Sequence, residues 1–131
     1  MSVSSYFMNI ILKRILIIIA AILLAIVSYY FFVGWVNIIP WAFATIVIGY
    51  MSLGRKDTII NGALFGYFLF VTYILYGYRG NTDTKSISNI IIFSLLFSLI
   101  GAVAGIIGTF IGNLLRKKIN IVRSSDKVEK K

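Results

Sequence analysis

Three long stretches without a single charged residue limit what this chain can fold into. They are residues 15–54, 58–78 and 86–115, which contain 40, 21 and 30 residues. A membrane-spanning helix needs about 20 consecutive apolar residues, so the first stretch can hold two such helices and the others one each. Because 60% of the 131 residues are hydrophobic and only 13% are charged, too little polar sequence is left to cover the core of a soluble domain.

The sequence therefore predicts an all-α membrane protein, a bundle of four transmembrane helices formed by one domain, residues 1–118. The predicted spans are residues 15–33, 38–53, 58–77 and 89–115, followed by a basic, frayed tail at residues 119–131. A cleaved signal peptide is the alternative for the first span. It is disfavoured because serine and bulky aromatic residues, rather than a small-x-small cleavage site, follow the apolar run.

The basic residues indicate the orientation of the predicted bundle. Eleven of the thirteen lie on one side of the drawn spans, whereas the other side holds only Arg79 and Lys85. By the positive-inside rule, both termini and the turn at residues 54–57 are expected in the cytoplasm, and the protein in the plasma membrane. Aromatic residues gather at the predicted outer boundary, as in an interfacial belt: Tyr29, Tyr30, Trp35, Trp41, Tyr76 and Tyr78.

The net charge of +9 comes from residues at the ends of the spans. We expect the partners to be the lipid bilayer and anionic lipids of the cytoplasmic face, and no nucleic acid. Arg116, Lys117 and Lys118 are the predicted headgroup contacts. The chain has no cysteine or histidine, and all four acidic residues lie outside the spans. We therefore predict no catalytic residue, no metal or cofactor, and no enzyme activity.

The fourth predicted span carries a row of small residues that we call the small-residue seam. On a helix its six positions fall within an arc of about 80°: Ser94, Ser98, Gly101, Gly105, Gly108 and Gly112. Such rows let helix backbones approach closely in lipid. Antiparallel packing is expected to place Gly62 and Gly66 of the third span at the level of Gly108 and Gly112. Contact with a second copy of the chain and a pore or ligand face are the alternatives.

Two asparagines are the most polar side chains expected near the cytoplasmic ends of the spans. Asn61 and Asn113 are interpreted as hydrogen-bonding groups at helix ends, with a polar ligand site as the alternative. No charged residue lies within a predicted span, which disfavours a proton-coupled pump.

Residues 39–118 resemble small prokaryotic four-span membrane proteins of uncharacterised function. The shared features are an Ile-Pro-Trp segment, a Gly-Arg-Lys turn, an Asn-Gly-Ala-Leu-Phe-Gly segment, a Gly-Tyr-Arg-Gly loop and a glycine-rich last helix followed by basic residues, at positions 39–41, 54–56, 61–66, 77–80 and 101–118. The resemblance implies a membrane location and no particular activity. The small multidrug exporters are similar in size, but they depend on a membrane-embedded glutamate that this chain lacks.

Two functions follow as hypotheses. The first is a structural or accessory membrane protein that acts by helix–helix association, as a homo-oligomer or in a larger membrane complex, because small residues recur on several spans and no charge lies between them. The second is a small oligomeric transporter or channel, including a holin-like permeability protein, because neutral polar residues and a glycine face could line a path.

Overall fold

The structure, a computed structural model, describes residues 3–31, 34–80 and 83–129. Four α-helices form it, and the described residues contain no strand. They are α1 (Val3–Phe31), α2 (Ile38–Met51), α3 (Arg55–Gly77) and α4 (Thr84–Glu129), with a 3₁₀ turn at Gly34–Asn37 leading into α2. The all-helical class predicted from the sequence is confirmed.

Three of these helices are long and apolar enough to cross a membrane. They contain the segments Met8–Phe31, Arg55–Gly77 and Thr84–Ser125. The remaining helix, α2, has 14 residues, which corresponds to a length of about 21 Å at 1.5 Å per residue. This is shorter than a hydrocarbon core of about 30 Å. The length and composition of three helices are therefore those of a membrane protein, whereas α2 is apolar but shorter than a spanning helix.

Several predicted boundaries differ from the observed helix ends. Helix α1 begins twelve residues before the first predicted span, whose last two residues lie outside the described part of the chain. Helix α4 begins at Thr84, five residues before the predicted fourth span, and the tail predicted to be frayed is helical as far as Glu129. The basic residues passed by these helices, Lys13 and Arg14 in α1 and Arg116 in α4, are good helix formers. They do not end a helix.

Helix α3 lies at the centre of the molecule. It packs most extensively against α4 and also against α1, whereas α2 packs mainly against α4. Phe65 and Leu69 of α3 are fully buried between these neighbours, together with Ala21 and Ala25 of α1. The small alanines let α1 approach α3, and many large apolar side chains of α1, α2 and α4 point outward. An apolar exterior around a core of small residues is typical of helix packing in lipid.

Candidate functional site

Helices α3 and α4 touch through backbone atoms at four glycines, Gly62 and Gly66 of α3 and Gly101 and Gly105 of α4. A Cβ atom added to Gly66 would overlap the carbonyl oxygen of Gly101, and one added to Gly105 would overlap the carbonyl oxygen of Gly62. A Cβ on Gly62 would lie only 2.7 Å from the carbonyl oxygen of Gly105. The contact is therefore reciprocal, and a side chain on either helix would push the two backbones apart.

The other end of the small-residue seam packs against α2. A Cβ added to Gly108 would overlap the Thr45 side chain, and one added to Gly112 would overlap the Ile46 carbonyl. On α2, Gly49 lies against the backbone of Thr109. Four of the six seam residues thus contact helices of the same chain, two on α3 and two on α2.

The glycine pairing differs from the predicted one. Gly62 and Gly66 were expected at the level of Gly108 and Gly112, but they lie against Gly105 and Gly101 instead. Polar groups fix this different register, since Asn113 of α4 hydrogen-bonds to Thr58 in the first turn of α3. Alignment at those polar groups shifts α4 by about two helical turns from the expected position, since Gly105 and Gly101 precede Gly112 and Gly108 by seven residues.

The two serines of the seam donate their hydroxyl hydrogens within α4 and not to another helix of the described chain. Ser94 and Ser98 are fully buried, but their hydroxyl groups donate to carbonyl oxygens of α4 itself, those of Ile91 and Ser94. Their contribution to packing is therefore their small size, because a hydroxyl bonded back to its own helix holds no neighbouring helix.

Polar side chains from three helices meet at one end of the bundle, which we call the Ser52 end. The Asn113 amide donates to the Thr58 hydroxyl at 2.9 Å, and the Thr109 hydroxyl lies 3.1 Å from the Thr58 carbonyl oxygen. The Asn61 amide donates to the Ser52 hydroxyl at 3.1 Å. These buried hydrogen bonds connect the end of α2, the start of α3 and α4.

One buried acceptor of this polar cluster has no partner among the described residues, the Oδ1 atom of Asn61. The amide donors of Asn61 and Asn113 are used within the protein, as expected for hydrogen bonding at helix ends. The cluster contains hydroxyl and amide groups and no nucleophile next to a general base, so its chemistry is that of recognition and packing.

A salt bridge closes α1 onto the turn between α2 and α3. Lys13 Nζ lies 2.8 Å from an Asp57 carboxylate oxygen, which also accepts the backbone N–H of Leu53 at 3.2 Å. The sequence pattern places these two residues at the flanks of different spans and does not predict their pairing. The sequence contains one signal for this salt bridge, since Asp57 is the first acidic residue of the chain and follows two basic residues.

The predicted headgroup residues have different surroundings. Arg116 donates from Nη1 to the carbonyl oxygen of Ser52 at 2.8 Å, so this guanidinium partly belongs to the bundle. Lys117 and Lys118 are exposed on α4. The Arg116 contact satisfies a carbonyl at the end of α2 that no intrahelical donor can reach.

Aromatic and polar contacts tie the helices together at the opposite end, which we call the Tyr29 end. Tyr29 packs edge to face against Tyr76 with ring centroids 5.3 Å apart, and its hydroxyl accepts from Arg79. Asn37 donates to the Tyr73 hydroxyl at 2.8 Å. Of the aromatic residues predicted to form a belt, the Trp35 side chain lies outside the described part of the chain.

Trp41, also predicted for the belt, turns its polar atom inward. Its indole N–H donates to the hydroxyl of buried Ser28 on α1 at 2.9 Å, and its ring packs 5.0 Å from that of Tyr73. It therefore joins α1, α2 and α3 within the bundle.

An apolar groove of about 400 Å³ runs between α2, α3 and α4. Its walls include Gly66, Ala104 and Gly108, and its rim includes Ile38 and Ile107, which are about half exposed. We call it the α2–α4 groove. The chain matches no protein-family model, and no curated protein or solved structure shows significant similarity to it. The resemblance to four-span proteins stays a prediction, and the geometry alone carries the functional argument.

Proposed function

We propose that the protein is a structural or accessory protein of the plasma membrane whose four helices all cross the bilayer, with both termini in the cytoplasm. It acts by helix–helix association with another membrane protein or a second copy of itself. The basic Ser52 end corresponds to the cytoplasmic side by the positive-inside rule.

The contacts of α2 support a fourth crossing although this helix is short. At one end the Met51 carbonyl accepts from Lys13 at 3.4 Å, and at the other Trp41 and Asn37 bond to α1 and α3. The 3₁₀ turn and α2, laid end to end, reach about 29 Å. This is close to a hydrocarbon thickness of about 30 Å, so α2 with its turn reaches both ends of the bundle.

The α2–α4 groove is the observation that carries the association. The seam glycines contact α2 and α3, and three of them, Gly101, Gly105 and Gly108, also line the groove. The groove is apolar, and small side chains such as Ala104 keep it open. In lipid, where the hydrophobic effect does not drive helices together, a groove of this shape offers van der Waals contact to an inserted ridge.

A matched pair of variants tests this proposal. Ala104→Leu fills the groove from an exposed position, whereas Val103→Leu adds bulk at the neighbouring exposed residue outside it. We expect wild-type protein extracted gently from membranes to run above its monomer mass, Ala104→Leu to lose the associated material, and Val103→Leu to keep it. A wild-type protein that is always a lone monomer contradicts the proposal.

The unpartnered Oδ1 atom of Asn61 favours a second candidate, a small oligomeric transporter or channel. A buried acceptor without a donor is where a polar solute or a cation would gain a partner. Flux through proteoliposomes tests this function. Flux of ions or small solutes that falls in Asn61→Leu supports it, and absence of flux removes it.

A further inference from the structure

We propose that the protein binds the phosphate group of an anionic phospholipid in a groove between α1 and the start of α3. This groove has a volume of about 640 Å³. The site differs from the predicted headgroup contacts on α4 and goes beyond the proposed helix–helix association, since it requires no partner protein.

The charge of the groove is strongly positive. Four basic side chains line it, namely Lys13, Arg14, Arg55 and Lys56, against the single carboxylate of Asp57. The Asp57 charge is already compensated, because the carboxylate pairs with Lys13 at 2.8 Å and accepts the N–H of Leu53. Arg14, Arg55 and Lys56 form no salt bridge among the described residues. Three cations without a salt-bridge partner around one cavity favour the binding of an anion.

Arg14 supplies the most specific sign of a missing ligand. Its Nε atom is buried, yet no acceptor among the described residues lies within hydrogen-bonding distance. A buried guanidinium N–H without a partner is costly. Arg14 lines the groove, and phosphate oxygens match the planar donor fork of a guanidinium.

The start of α3 forms a second wall of the groove and has a free set of donors. Gly54 precedes the helix in an extended conformation and has no side chain to cap it. The first intrahelical bond runs from the Thr58 N–H to the Gly54 carbonyl, which leaves earlier N–H groups without helical partners. Such a helix start favours a phosphate through its N–H groups and the helix dipole.

Apolar side chains in the same groove select a lipid over a free anion. Ile10, Leu53 and Ile60 line it beside the basic residues, and Leu53 is 79% exposed. A soluble phosphate gains nothing from this apolar surface, whereas a phospholipid can place its acyl chains there and its phosphate against the arginines. The expected ligand is therefore an amphiphile with a negative headgroup.

Lipid binding to the detergent-purified protein, counted by native mass spectrometry, tests the assignment. We compare phosphatidylglycerol with phosphatidylcholine for wild type, Arg55→Gln/Lys56→Gln and Lys117→Gln/Lys118→Gln. Both double variants remove two charges from exposed positions near the Ser52 end. We expect at least about a tenfold loss of phosphatidylglycerol affinity in the groove variant and little loss in the control.

Arg14→Gln is the second groove variant, and its helix content and thermal stability show whether it is folded. An equal loss in both double variants overturns the site, because the attraction would then be general. Displacement of the lipid by millimolar inorganic phosphate overturns the lipid assignment in favour of a free anion. If the wild-type protein is monomeric but keeps its preference for phosphatidylglycerol, only the helix-association proposal fails. Failure of the lipid site and failure of the proposed function are therefore distinguishable.

Discussion

The absence of a side chain at single residues determines how closely the helices pack. At Gly66 the neighbour is a backbone carbonyl of Gly101, which cannot rotate away as a side chain can. At Gly77, by contrast, an added Cβ would meet the edge of the Tyr29 ring at 3.4 Å, an ordinary contact distance. Two glycines of the same helix therefore have different roles, and only the first keeps two backbones in contact.

The variant Gly66→Ala is expected to destabilise the bundle. The added methyl group overlaps the Gly101 carbonyl and comes within 3.1 Å of the Gly105 Cα. We expect a cost of about 1–3 kcal/mol, as for other overpacked interiors, which exceeds the gain in helix propensity of roughly 1 kcal/mol. Unfolding in detergent measures it, with Gly77→Ala as the control. Equal stability of the two variants would show that the backbones are not in contact.

Asp83 gives the start of α4 a pH dependence. Its carboxylate accepts the backbone N–H of Ser86 at 3.3 Å, and the hydrogen bond from Ser86 lowers the pKa of the Asp83 carboxyl below its ordinary value of 3.8. A lowered pKa in the folded state means that the carboxylate stabilises this turn above the ordinary value. This stabilisation is lost as the pH falls through the folded value.

Hydrogen exchange at the Ser86 amide measures this effect. At neutral pH we expect faster exchange in Asp83→Ala than in wild type, because the cap is missing. Wild type and Asp83→Ala should converge as the pH falls below about 4. The Asp83→Asn side chain can still accept the hydrogen bond but does not titrate. The ratio of its exchange rate to that of Asp83→Ala should therefore not change with pH. If the ratio of the Ser86 exchange rates in wild type and Asp83→Ala does not change with pH, the carboxylate does not cap the helix.

At the scale of helices, the sequence identified the apolar segments but not the helix ends. Charge marks where a segment leaves lipid, and Lys and Arg are compatible with a helix on either side of that boundary. Helices α1 and α4 therefore extend beyond the predicted spans, whereas α2 starts where it was predicted, at Ile38 behind the 3₁₀ turn. Apart from the Asn61–Ser52 bond, the contacts at the Ser52 end join residues 38 to 64 positions apart, and local patterns carry no information on such pairs.

The register between the helices could not be predicted from the sequence either. Small residues on two helices predict close approach, but many offsets bring glycine opposite glycine or another small residue. The hydrogen bonds of Thr58 to Asn113 and Thr109 select one offset. The sequence marks Asn61 and Asn113 as helix-end groups, but their hydroxyl partners, Ser52 directly after α2 and Thr58 in α3, emerge only from the fold.

Removing a hydroxyl that connects α2 to α3 should weaken the Ser52 end. The Ser52 hydroxyl accepts from Asn61 and donates to the Ile48 carbonyl. In Ser52→Ala the buried Asn61 amide loses its Ser52 acceptor while its Oδ1 atom already has no partner among the described residues. We expect a loss of about 1–2 kcal/mol in the free energy of unfolding.

Two further variants make this measurement specific. Ser124→Ala removes an exposed hydroxyl that bonds only within α4 and should change stability by less than about 0.5 kcal/mol. Asn61→Leu in the Ser52→Ala background should recover part of the loss, because the unpaired amide is gone. A loss in Ser124→Ala as large as that in Ser52→Ala would exclude the connection between α2 and α3 as its cause.

For the whole molecule, the number of crossings decides where the basic groups lie. With four crossings, the Lys13–Asp57 pair, Arg116 and the end of α2 all lie at the cytoplasmic surface. The contacts at the Ser52 end require these groups to lie at one level of the bundle. If α2 entered the bilayer and returned, residue 56 would lie outside and α4 would end outside as well. Its basic end would then face the wrong side of the membrane.

Because the chain has no cysteine, single introduced cysteines report the topology directly. We expect a membrane-impermeant maleimide to label Lys85→Cys in intact cells, and Lys56→Cys and Ser125→Cys only after permeabilisation. All three positions are exposed, so a difference in labelling reflects the side of the membrane and not burial. Labelling of Lys56→Cys in intact cells would contradict the proposed topology.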